Sequence, residues 1–464
     1  MRHTALALAL GGVFVSAAHA DPLPQFVGDT IVVTATRFPQ TLAGQATSTT
    51  VITRQQIDDS PQATLPDILA QQAGIGMRDL YGNNVAASTV DMRGFGVTGG
   101  QNTLVLLDGR QLNDIDLSTI DWSALPLSSI ERIEIVRGGS SVLHGAGAVA
   151  GVINIITRSP LDMPDQAAGK VQFGSFGTRE AQINGNLSGE TMGLRLAADH
   201  AHSDGWRDNN ESTQKALNGD MRWAHELGEL VFKFSGSSQD TQLPGPRTVE
   251  PDMGIDQLAA NPKGASTPLD WARRKGYQAG LSNRLTLGGN ELILDLDYRN
   301  KRQQSYFDYG GGFSDYRDID LDMWRFSPRI RLPFDAGGIA HSLIVGVDVQ
   351  WWDYALDTSN TEANIGTPIN RVSADQKSTG LYARDEMKLS EATRLTLGGR
   401  YEWFDLSAND RFNPAAPGGG FGNGAAPGSQ DETQYAWELG LHHRLNPQHA
   451  VFARMARSFR FATV

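Results

Sequence analysis

The sequence has 464 residues, a formal net charge of −12 and no cysteine. The acidic balance argues against a general nucleic-acid binder, and the absence of cysteine excludes a disulfide framework and thiolate chemistry. Charged residues make up 20% and apolar residues 40%, which excludes a disordered chain. The length of 464 residues is enough for two or more ordinary domains or for one large barrel.

The first 20 residues have the pattern of a secretory signal peptide. Arg2 and His3 form a short basic start, an apolar run covers 5–15, and the A-x-A motif at 18–20 is a cleavage site. A membrane anchor is the alternative, but the run is short for a span, and no later segment approaches roughly 18 consecutive apolar residues. We therefore expect an exported protein, either periplasmic or an outer-membrane β-barrel.

A strand-forming stretch, DTIVVTATR, follows at 29–37. Ile31, Val32 and Val33 precede threonines, and β-branched residues favour a pleated, half-buried backbone. The stretch lies close to the N-terminus, where chains are usually loosely held. A short extended segment can add as a strand to a partner's sheet edge, so we expect an exposed docking segment. From the residues alone, an ordinary first strand of the next domain is equally possible.

Residues 41–160 are predicted to form a small α+β domain. A helix is expected over 65–72, with turn residues before it and Gly74 as its stop. Strands are indicated by compact apolar segments at 49–57, 103–112, 130–138 and 149–158. A linker containing Pro and Gly at 160–169 ends this domain.

Residues 161–464 alternate apolar and polar side chains over long segments. In 395–404 one face carries Leu395, Leu397, Tyr401 and Trp403, and the other carries Thr396, Arg400 and Glu402. The segments exceed the average globular strand, aromatic residues cluster at their ends, and short turns alternate with long polar loops. We predict a transmembrane antiparallel β-barrel with about 13 strands in this chain. A soluble sandwich, which also alternates, is the alternative.

Several motifs together resemble the plug domain of TonB-dependent outer-membrane receptors. They are DTIVVTATR at 29–37, LPDILAQQAGI at 65–75, VDMRGFG at 90–96, TLVLLDGRQLND at 103–114 and the segment 126–158. Segments 380–390, 395–402 and 435–445 resemble barrel strands of the same family. The resemblance covers essentially the whole chain after the signal peptide. It implies an α+β plug inside a 22-stranded barrel, so the chain is expected to be truncated before the last strands.

The resemblance also implies a function. Such receptors sit in the outer membrane as monomers and take up a metal chelate, with energy delivered by TonB from the inner membrane. A ferric siderophore is the expected cargo, and cobalamin or haem are alternatives. A passive porin is disfavoured, because it needs neither a TonB box nor a plug. The expected partners are TonB, outer-membrane lipid and the chelate, with no nucleic acid, no cofactor, no resident metal and no enzymatic activity.

The same resemblance marks individual residues. The TonB box, within residues 21–40, comprises Asp29, Thr30, Ile31, Val32, Val33, Thr34, Ala35 and Thr36. The plug signature comprises Arg93, Gly94, Asp108, Gly109, Glu131, Arg137 and Gly138. The candidate ligand contacts on a plug apex are Arg78, Tyr81 and Asn83.

Charges inside a barrel must be paired, unless a wet lumen solvates them. By resemblance, Arg93 and Arg137 would face carboxylates of the barrel wall, with Glu386 and Glu438 as the candidates. Solvation in the lumen is the alternative.

Overall fold

The computed structural model describes residues 31–42, 44–62, 64–79, 88–116 and 118–461. The predicted signal peptide, together with Asp29, Thr30, Tyr81 and Asn83, lies outside these residues. Within them, no helix combines the length and the apolar character needed to cross a membrane.

The N-terminal domain is built on a five-stranded mixed sheet. Its elements are β1 (Ile31–Val32), β2 (Gln40–Thr41), β3 (Ser48–Thr53), α1 (Arg54–Asp58), α2 (Leu65–Ala70), β4 (Ile75–Asp79), β5 (Ser88–Met92), α3 (Gly99–Asn102), β6 (Thr103–Leu107), β7 (Arg110–Gln111), β8 (Ile130–Arg137), α4 (Ser141–His144) and β9 (Gly151–Thr157). The sheet order is β3-β8-β9-β6-β7, in which only β6 and β9 run parallel. β1 pairs with β2 and β4 with β5 in two small separate sheets.

The helix predicted at 65–72 is α2. Its N-cap is Thr64, whose side chain accepts a hydrogen bond from the Asp67 amide, and a proline lies in its first turn. Leu65, Ile68 and Leu69 are buried with the sheet residues Ile133 and Ile153 in the main core of this domain. The apolar face of a short helix thus closes one side of the sheet.

The rest of the described chain forms one antiparallel sheet of 13 strands, the number that the alternating segments predict. The elements of this part are β10 (Gln166–Phe173), β11 (Arg179–Ser188), β12 (Met192–Ser203), β13 (Ser212–His225), β14 (Gly228–Gln242), β15 (Val249–Glu250), β16 (Ile255–Asp256), α5 (Gln257–Ala260), β17 (Trp271–Leu287), β18 (Asn290–Gly310), β19 (Phe313–Ala336), β20 (Ile339–Ser359), β21 (Asn370–Lys388), β22 (Thr393–Phe412), β23 (Gly428–Arg444) and β24 (Ala450–Arg457). Strands pair in chain order from β10 to β24, except that β15 and β16 form a separate hairpin within a loop. We call this 13-stranded unit the large sheet.

The large sheet buries polar side chains and exposes apolar ones, which is the reverse of the arrangement in a soluble protein. On β22 the polar residues Arg400 and Glu402 are 5% and 3% exposed, whereas Leu397 and Trp403 are both 44% exposed. Since neighbouring residues of a strand point to opposite faces, one face is apolar and outward and the other is polar and covered. An outward apolar face suits a sheet surrounded by lipid, as predicted for a membrane barrel rather than for a sandwich.

The loops of the large sheet differ at its two ends. One end has tight connections, such as 226–227, 288–289 and 337–338, and the other end has long ones, 243–270 and 413–427. The two-residue turn at 311–312 is the short exception at the long-loop end. The N-terminal domain packs against the inward face, so that its charged and apolar groups meet residues of strands as distant as β14 and β23.

Candidate functional site

The N-terminal segment, which we define as residues 31–38, is buried between the N-terminal domain and the large sheet. Only Ile31–Val32 forms a strand, and the chain then turns, with the Arg37 amide donating to Val33 O at 2.6 Å and Arg37 at a φ of 62°. Val32 and Phe38 are completely buried, and Thr34, Ala35 and Thr36 are also buried. The expectation of an exposed, extended stretch is therefore wrong for the described part of this segment.

The segment folds inward because a buried carboxylate satisfies its backbone. Glu134 of β8 accepts hydrogen bonds from the amides of Val33 and Thr34, at 2.9 and 2.8 Å, and from Thr34 Oγ1 at 2.6 Å. Arg132 contacts the other carboxylate oxygen at 2.8 Å and balances its charge. Charge-assisted bonds of this kind are roughly twice as strong as neutral ones, so Glu134 is the principal holder of the turn.

The remaining polar atoms of Thr34 are also satisfied. His144 Nε2 lies 2.9 Å from Thr34 O, and Asn154 Nδ2 donates to Thr34 Oγ1 at 3.0 Å. Burial, followed by the positive charge of Arg37, lowers the pKa of His144 to about 3, although the bond to Thr34 acts in the opposite direction. At neutral pH His144 is therefore uncharged and donates its Nε2 proton to the Thr34 carbonyl.

Arg37 fastens the end of the segment to the large sheet. Its Nη1 lies 3.0 Å from the Asp348 carboxylate on β20, and its Nη2 donates to Ser327 Oγ at 2.6 Å. Asp348 also accepts from Arg400 Nη1 at 2.7 Å, and both guanidinium groups lie over the ring of Tyr382, at 5.3 and 5.4 Å. Removing one partner of a buried ion pair typically costs about 3–5 kcal/mol, so Arg37 is a strong point of attachment.

A second set of contacts joins acidic groups of the N-terminal domain to basic groups of the large sheet. Asp108 lies 2.8 Å from Lys233 Nζ, and Asp114 and Asp116 lie 2.8 and 3.0 Å from Lys301 Nζ. Burial alone would raise the pKa of Asp108, but Lys233 and Arg110 outweigh it and lower this pKa to about 2. The carboxylate is thus charged at neutral pH and pairs across the interface.

The predicted pairing of Arg93 and Arg137 with barrel carboxylates is wrong. Arg137 donates to Thr50 Oγ1 at 2.6 Å and to Ala73 O, both within the N-terminal domain. Arg93 is exposed and takes a left-handed φ of 70°, which places it in a turn after β5. The charges that do pair across the interface include Arg37 and Asp108.

The two carboxylates proposed for that pairing have other partners. Glu438 accepts from Arg384 Nε at 2.9 Å and from Arg454 Nη2 at 2.6 Å, and both arginines belong to the large sheet. Glu386 accepts from Gln40 and Arg394. Negative charge on this part of the sheet is therefore neutralised mainly within the sheet.

The other signature residues mark turns. Asp108 and Gly109 have left-handed φ values of 51° and 83° and connect β6 to β7 tightly, and Gly109 O accepts from Arg325 Nη1 of the large sheet at 3.0 Å. Gly94 and Gly138 are left-handed as well, and Glu131 pairs with Arg158 at 3.6 Å. Of the signature, only the turn at 108–109 contacts the large sheet through these bonds.

The predicted ligand contacts cannot be assembled into a site. Arg78 is exposed on β4, whereas Tyr81 and Asn83 lie outside the described residues. A cavity of about 290 Å³ lies elsewhere, between the N-terminal domain and the large sheet, and its lining includes Gln101, Ile115, Trp352 and Gln376. Across the described ranges, no group of three or more His, Cys, Asp or Glu residues is arranged to hold a metal ion.

Sequence reasoning did not identify Arg37, Asp348 or the role of Glu134. Arg37 and Asp348 are 311 residues apart, and no local pattern connects them. A usable signal was the position of Arg37 directly after the TonB-box stretch, since a charge within an otherwise apolar and threonine-rich segment needs a partner when it is buried.

Two family models match the chain. The model described as "TonB-dependent Receptor Plug Domain" matches residues 41–152, and the one described as "TonB dependent receptor-like, beta-barrel" matches residues 205–464, which is more than half of the chain. The two matches fall on the N-terminal domain and on the large sheet.

Sequence relatives carry the name of a vitamin transporter. The "Vitamin B12 transporter BtuB" of Vibrio vulnificus (strain CMCP6) is 24% identical over 463 residues, covering 99% of this chain and 68% of the relative. The protein of the same name from Vibrio cholerae serotype O1 (strain ATCC 39541) is 34% identical over 196 residues, covering 42% of this chain and 30% of the relative.

Solved structures share the fold. The unliganded ferric citrate transporter FecA has a TM-score of 0.74 at 17% identity, covering 90% of this chain and 64% of that protein. The open form of the ferric-catecholate import receptor Fiu from E. coli K12 has a TM-score of 0.71 at 16% identity, covering 91% and 71%. With a plug domain, an outward apolar β-sheet and a family model over more than half of its length, the chain belongs to the TonB-dependent receptors of the bacterial outer membrane.

Proposed function

We propose that this receptor takes up a metal chelate and that its N-terminal segment is the attachment point for TonB. In the structure the segment is buried inside the molecule. Ligand binding on the long-loop side would weaken its contacts, and the freed backbone would then add as a strand to the sheet of TonB. Residues 29–36 would form that strand.

The observation that carries the proposal is how the segment is held. Besides the burial of Val32 and Phe38, its fixation depends on a few polar groups, Glu134, His144 and the Arg37–Asp348 pair, rather than on a long strand ladder. Such contacts can be exchanged one by one for contacts with a partner. β1 contributes only two residues of pairing, so little sheet structure needs to break when the segment leaves.

For the cargo we propose cobalamin, with a ferric siderophore as the second candidate. The sequence relative that spans nearly the whole chain is named as a vitamin B12 transporter, which favours cobalamin over the siderophore expected from the sequence. Solved structures of ferric citrate and ferric catecholate receptors share the fold, and for this reason a ferric siderophore is the second candidate cargo.

Binding of the two cargo classes can be compared directly on the receptor in outer-membrane preparations. Cyanocobalamin, ferric citrate and a ferric catecholate are titrated in parallel. The proposal expects micromolar or tighter binding of cyanocobalamin. If only a ferric chelate binds, the cargo is that chelate and not cobalamin. Binding of none of the three would contradict the uptake function.

The docking role has its own experiment, the substitution Val32→Pro. Proline removes a backbone donor and cannot pair within a sheet, so the freed segment could no longer add to a partner strand. We expect energised uptake to be lost while binding of the chelate at the cell surface persists. Unchanged uptake by the variant would contradict docking through this segment.

A further inference from the structure

The short helix α4, residues Ser141–His144, has contacts on two sides. Ser141 and Val142 meet residues 458–461, which follow the last strand of the large sheet, and Leu143 and His144 meet the N-terminal segment. Because neighbouring residues of a helical turn point in different directions, four consecutive residues connect two segments that are distant in sequence. We call residues 458–461 the inner segment.

The inner segment grips α4 through backbone, hydroxyl and aromatic groups. The Phe459 amide donates to Ser141 Oγ at 3.3 Å, and Gly147, just beyond the helix, donates from its amide to Phe459 O at 3.1 Å. The approach is close, since a Cβ at Gly139 would lie 2.3 Å from Ser458 Oγ. Ser458 and Phe459 thus both reach the chain around α4.

Aromatic packing reinforces this grip. Phe459 and Phe461 are buried together with Val142 of α4 and with Phe404 of the large sheet. Phe461 stacks on Phe404 with ring centroids 4.3 Å apart, and Phe459 meets Phe461 edge to face at 5.4 Å. Aromatic pairs of this geometry stabilise by about 0.5–1.5 kcal/mol beyond the burial of their surface. The large sheet therefore fixes one side of α4 through an apolar cluster.

The opposite side of α4 fixes the N-terminal segment. Arg37 Nη1 donates to Leu143 O at 2.8 Å, and His144 Nε2 lies 2.9 Å from Thr34 O. Leu143 also packs against Phe38 in a second apolar cluster. Among the residues that the structure describes, no hydrogen bond, ion pair or ring contact joins the inner segment to the N-terminal segment directly, so α4 lies between them.

We propose that the inner segment is a positioning element that controls how firmly α4 retains the N-terminal segment. The inference rests on the proposed function, because retention matters only if the segment is released to a partner. When the grip of Phe459 on Ser141 and Val142 loosens, α4 can shift, and its bonds to Arg37 and Thr34 lengthen together. The inner segment also contacts α3 through Arg460 and Gln101, and both residues line the cavity between the N-terminal domain and the large sheet.

The chain has no cysteine, so a single Val32→Cys substitution gives a clean reporter. Val32 is fully buried, and its reaction with a water-soluble maleimide measures how often the segment opens. We compare the reporter with Ser141→Ala, which removes the hydroxyl that meets Phe459, and with Phe459→Ala, which removes the ring packed on Val142. Coupling between sites is typically worth 5- to 150-fold in an equilibrium, so both variants are expected to accelerate labelling by at least about 5-fold.

Controls separate this role from general loosening. Phe326→Ala removes an aromatic side chain that points outward from β19 and is 40% exposed, and it should leave the labelling rate unchanged. Phe459→Leu keeps an apolar side chain against Val142 and should restore slow labelling. The double variant Ser141→Ala with Phe459→Ala should accelerate labelling by less than the product of the two single effects, because both substitutions act on the interface between α4 and the inner segment.

Arg37→Gln establishes that the assay detects opening. Wild-type labelling rates in Ser141→Ala and Phe459→Ala, with fast labelling in Arg37→Gln, would overturn the inference, and so would equal acceleration by Phe326→Ala. Slow labelling in Arg37→Gln as well would overturn it too, since the contacts of α4 would then not hold the segment. Failure of the proposed function has a different signature, namely no chelate binding by a receptor whose labelling still responds to Phe459→Ala.

Discussion

Arg37, directly after the predicted TonB box, lies 3.0 Å from Asp348 of the large sheet, and both side chains are more than nine-tenths buried. This pair connects the N-terminal segment to the structure that surrounds it. The charges are shared, since Asp348 also binds Arg400, and Arg400 binds Glu402. Two arginines and two carboxylates thus form a neutral cluster that loses one positive charge whenever the segment leaves.

Arg37→Gln is expected to weaken retention of the segment. Asp348 keeps its contact with Arg400, which Glu402 shares, so the cost should be at least that of losing charged hydrogen bonds, about 1.5–3 kcal/mol. Labelling of a cysteine at position 32 should therefore rise by roughly tenfold or more. Arg302→Gln is the matched control, because Arg302 pairs with Asp318 while half exposed and should have no effect on labelling. Equal labelling of Arg37→Gln and the wild type would contradict the attachment.

Asp108→Asn is expected to loosen the N-terminal domain within the large sheet. The pKa of Asp108 falls from 3.8 to about 2 in the folded protein, so its charged form contributes stability above pH 3.8 that is lost as the pH falls toward 2. The lowered pKa corresponds to about 2 kcal/mol at neutral pH. Urea unfolding at pH 7 and at pH 3 should show this loss in Asp108→Asn together with a flatter pH dependence. Asp58→Asn, at an exposed pair with Arg54, should change stability by less than about 1 kcal/mol.

Acid should open the N-terminal segment through His144. The pKa of His144 is about 3 when buried and 6.5 when free, so the open state binds more protons between these values. Retention of the segment should consequently weaken as the pH falls from 6.5 toward 3. The mobility of a spin label at position 32, recorded across this range, should rise with acid in the wild type and less so in His144→Gln. Identical pH profiles in the two proteins would exclude His144 as the group responsible.

A charged side chain on the outward face of the large sheet should destabilise the protein. Leu397→Arg places a cation on the apolar side of β22, where the cost of a lipid-facing arginine is about 2–4 kcal/mol near the bilayer centre. Ser407→Arg, on the same strand and the same face but beyond Trp403, is the matched control and should be tolerated. The temperature at which the heated protein changes from its folded to its unfolded electrophoretic mobility measures the difference in stability between the variants. Equal transitions would argue against a lipid-facing surface.

Much of the fold follows from local pattern. The alternation in 395–404 assigns the seven residues named there to the correct faces of β22, and the cap and stop signals around Leu65 locate α2 within two residues. These predictions are correct because strand periodicity and helix capping depend on neighbours in sequence.

The candidate site depends on contacts that local pattern does not encode. The turn after Val32 is held by the carboxylate of Glu134, and the partner of Arg37 lies 311 residues further along the chain. Arg137, which belongs to a strong motif, turned out to bind within its own domain. The motif that contains Arg137 thus identified the N-terminal domain but not the charge that pairs with the large sheet, because each charge pairs with the groups that the tertiary fold brings close to it.

Uptake by the proposed mechanism depends on release of the buried N-terminal segment when the ligand binds. The most direct measurement is the maleimide labelling rate of a cysteine at position 32 in outer-membrane preparations, with and without saturating cyanocobalamin. Because Val32 is completely buried, we expect slow labelling of the receptor alone and labelling at least about 5-fold faster with the ligand bound. A rate that is already fast without the ligand, or one that the bound ligand leaves unchanged, would contradict this mechanism.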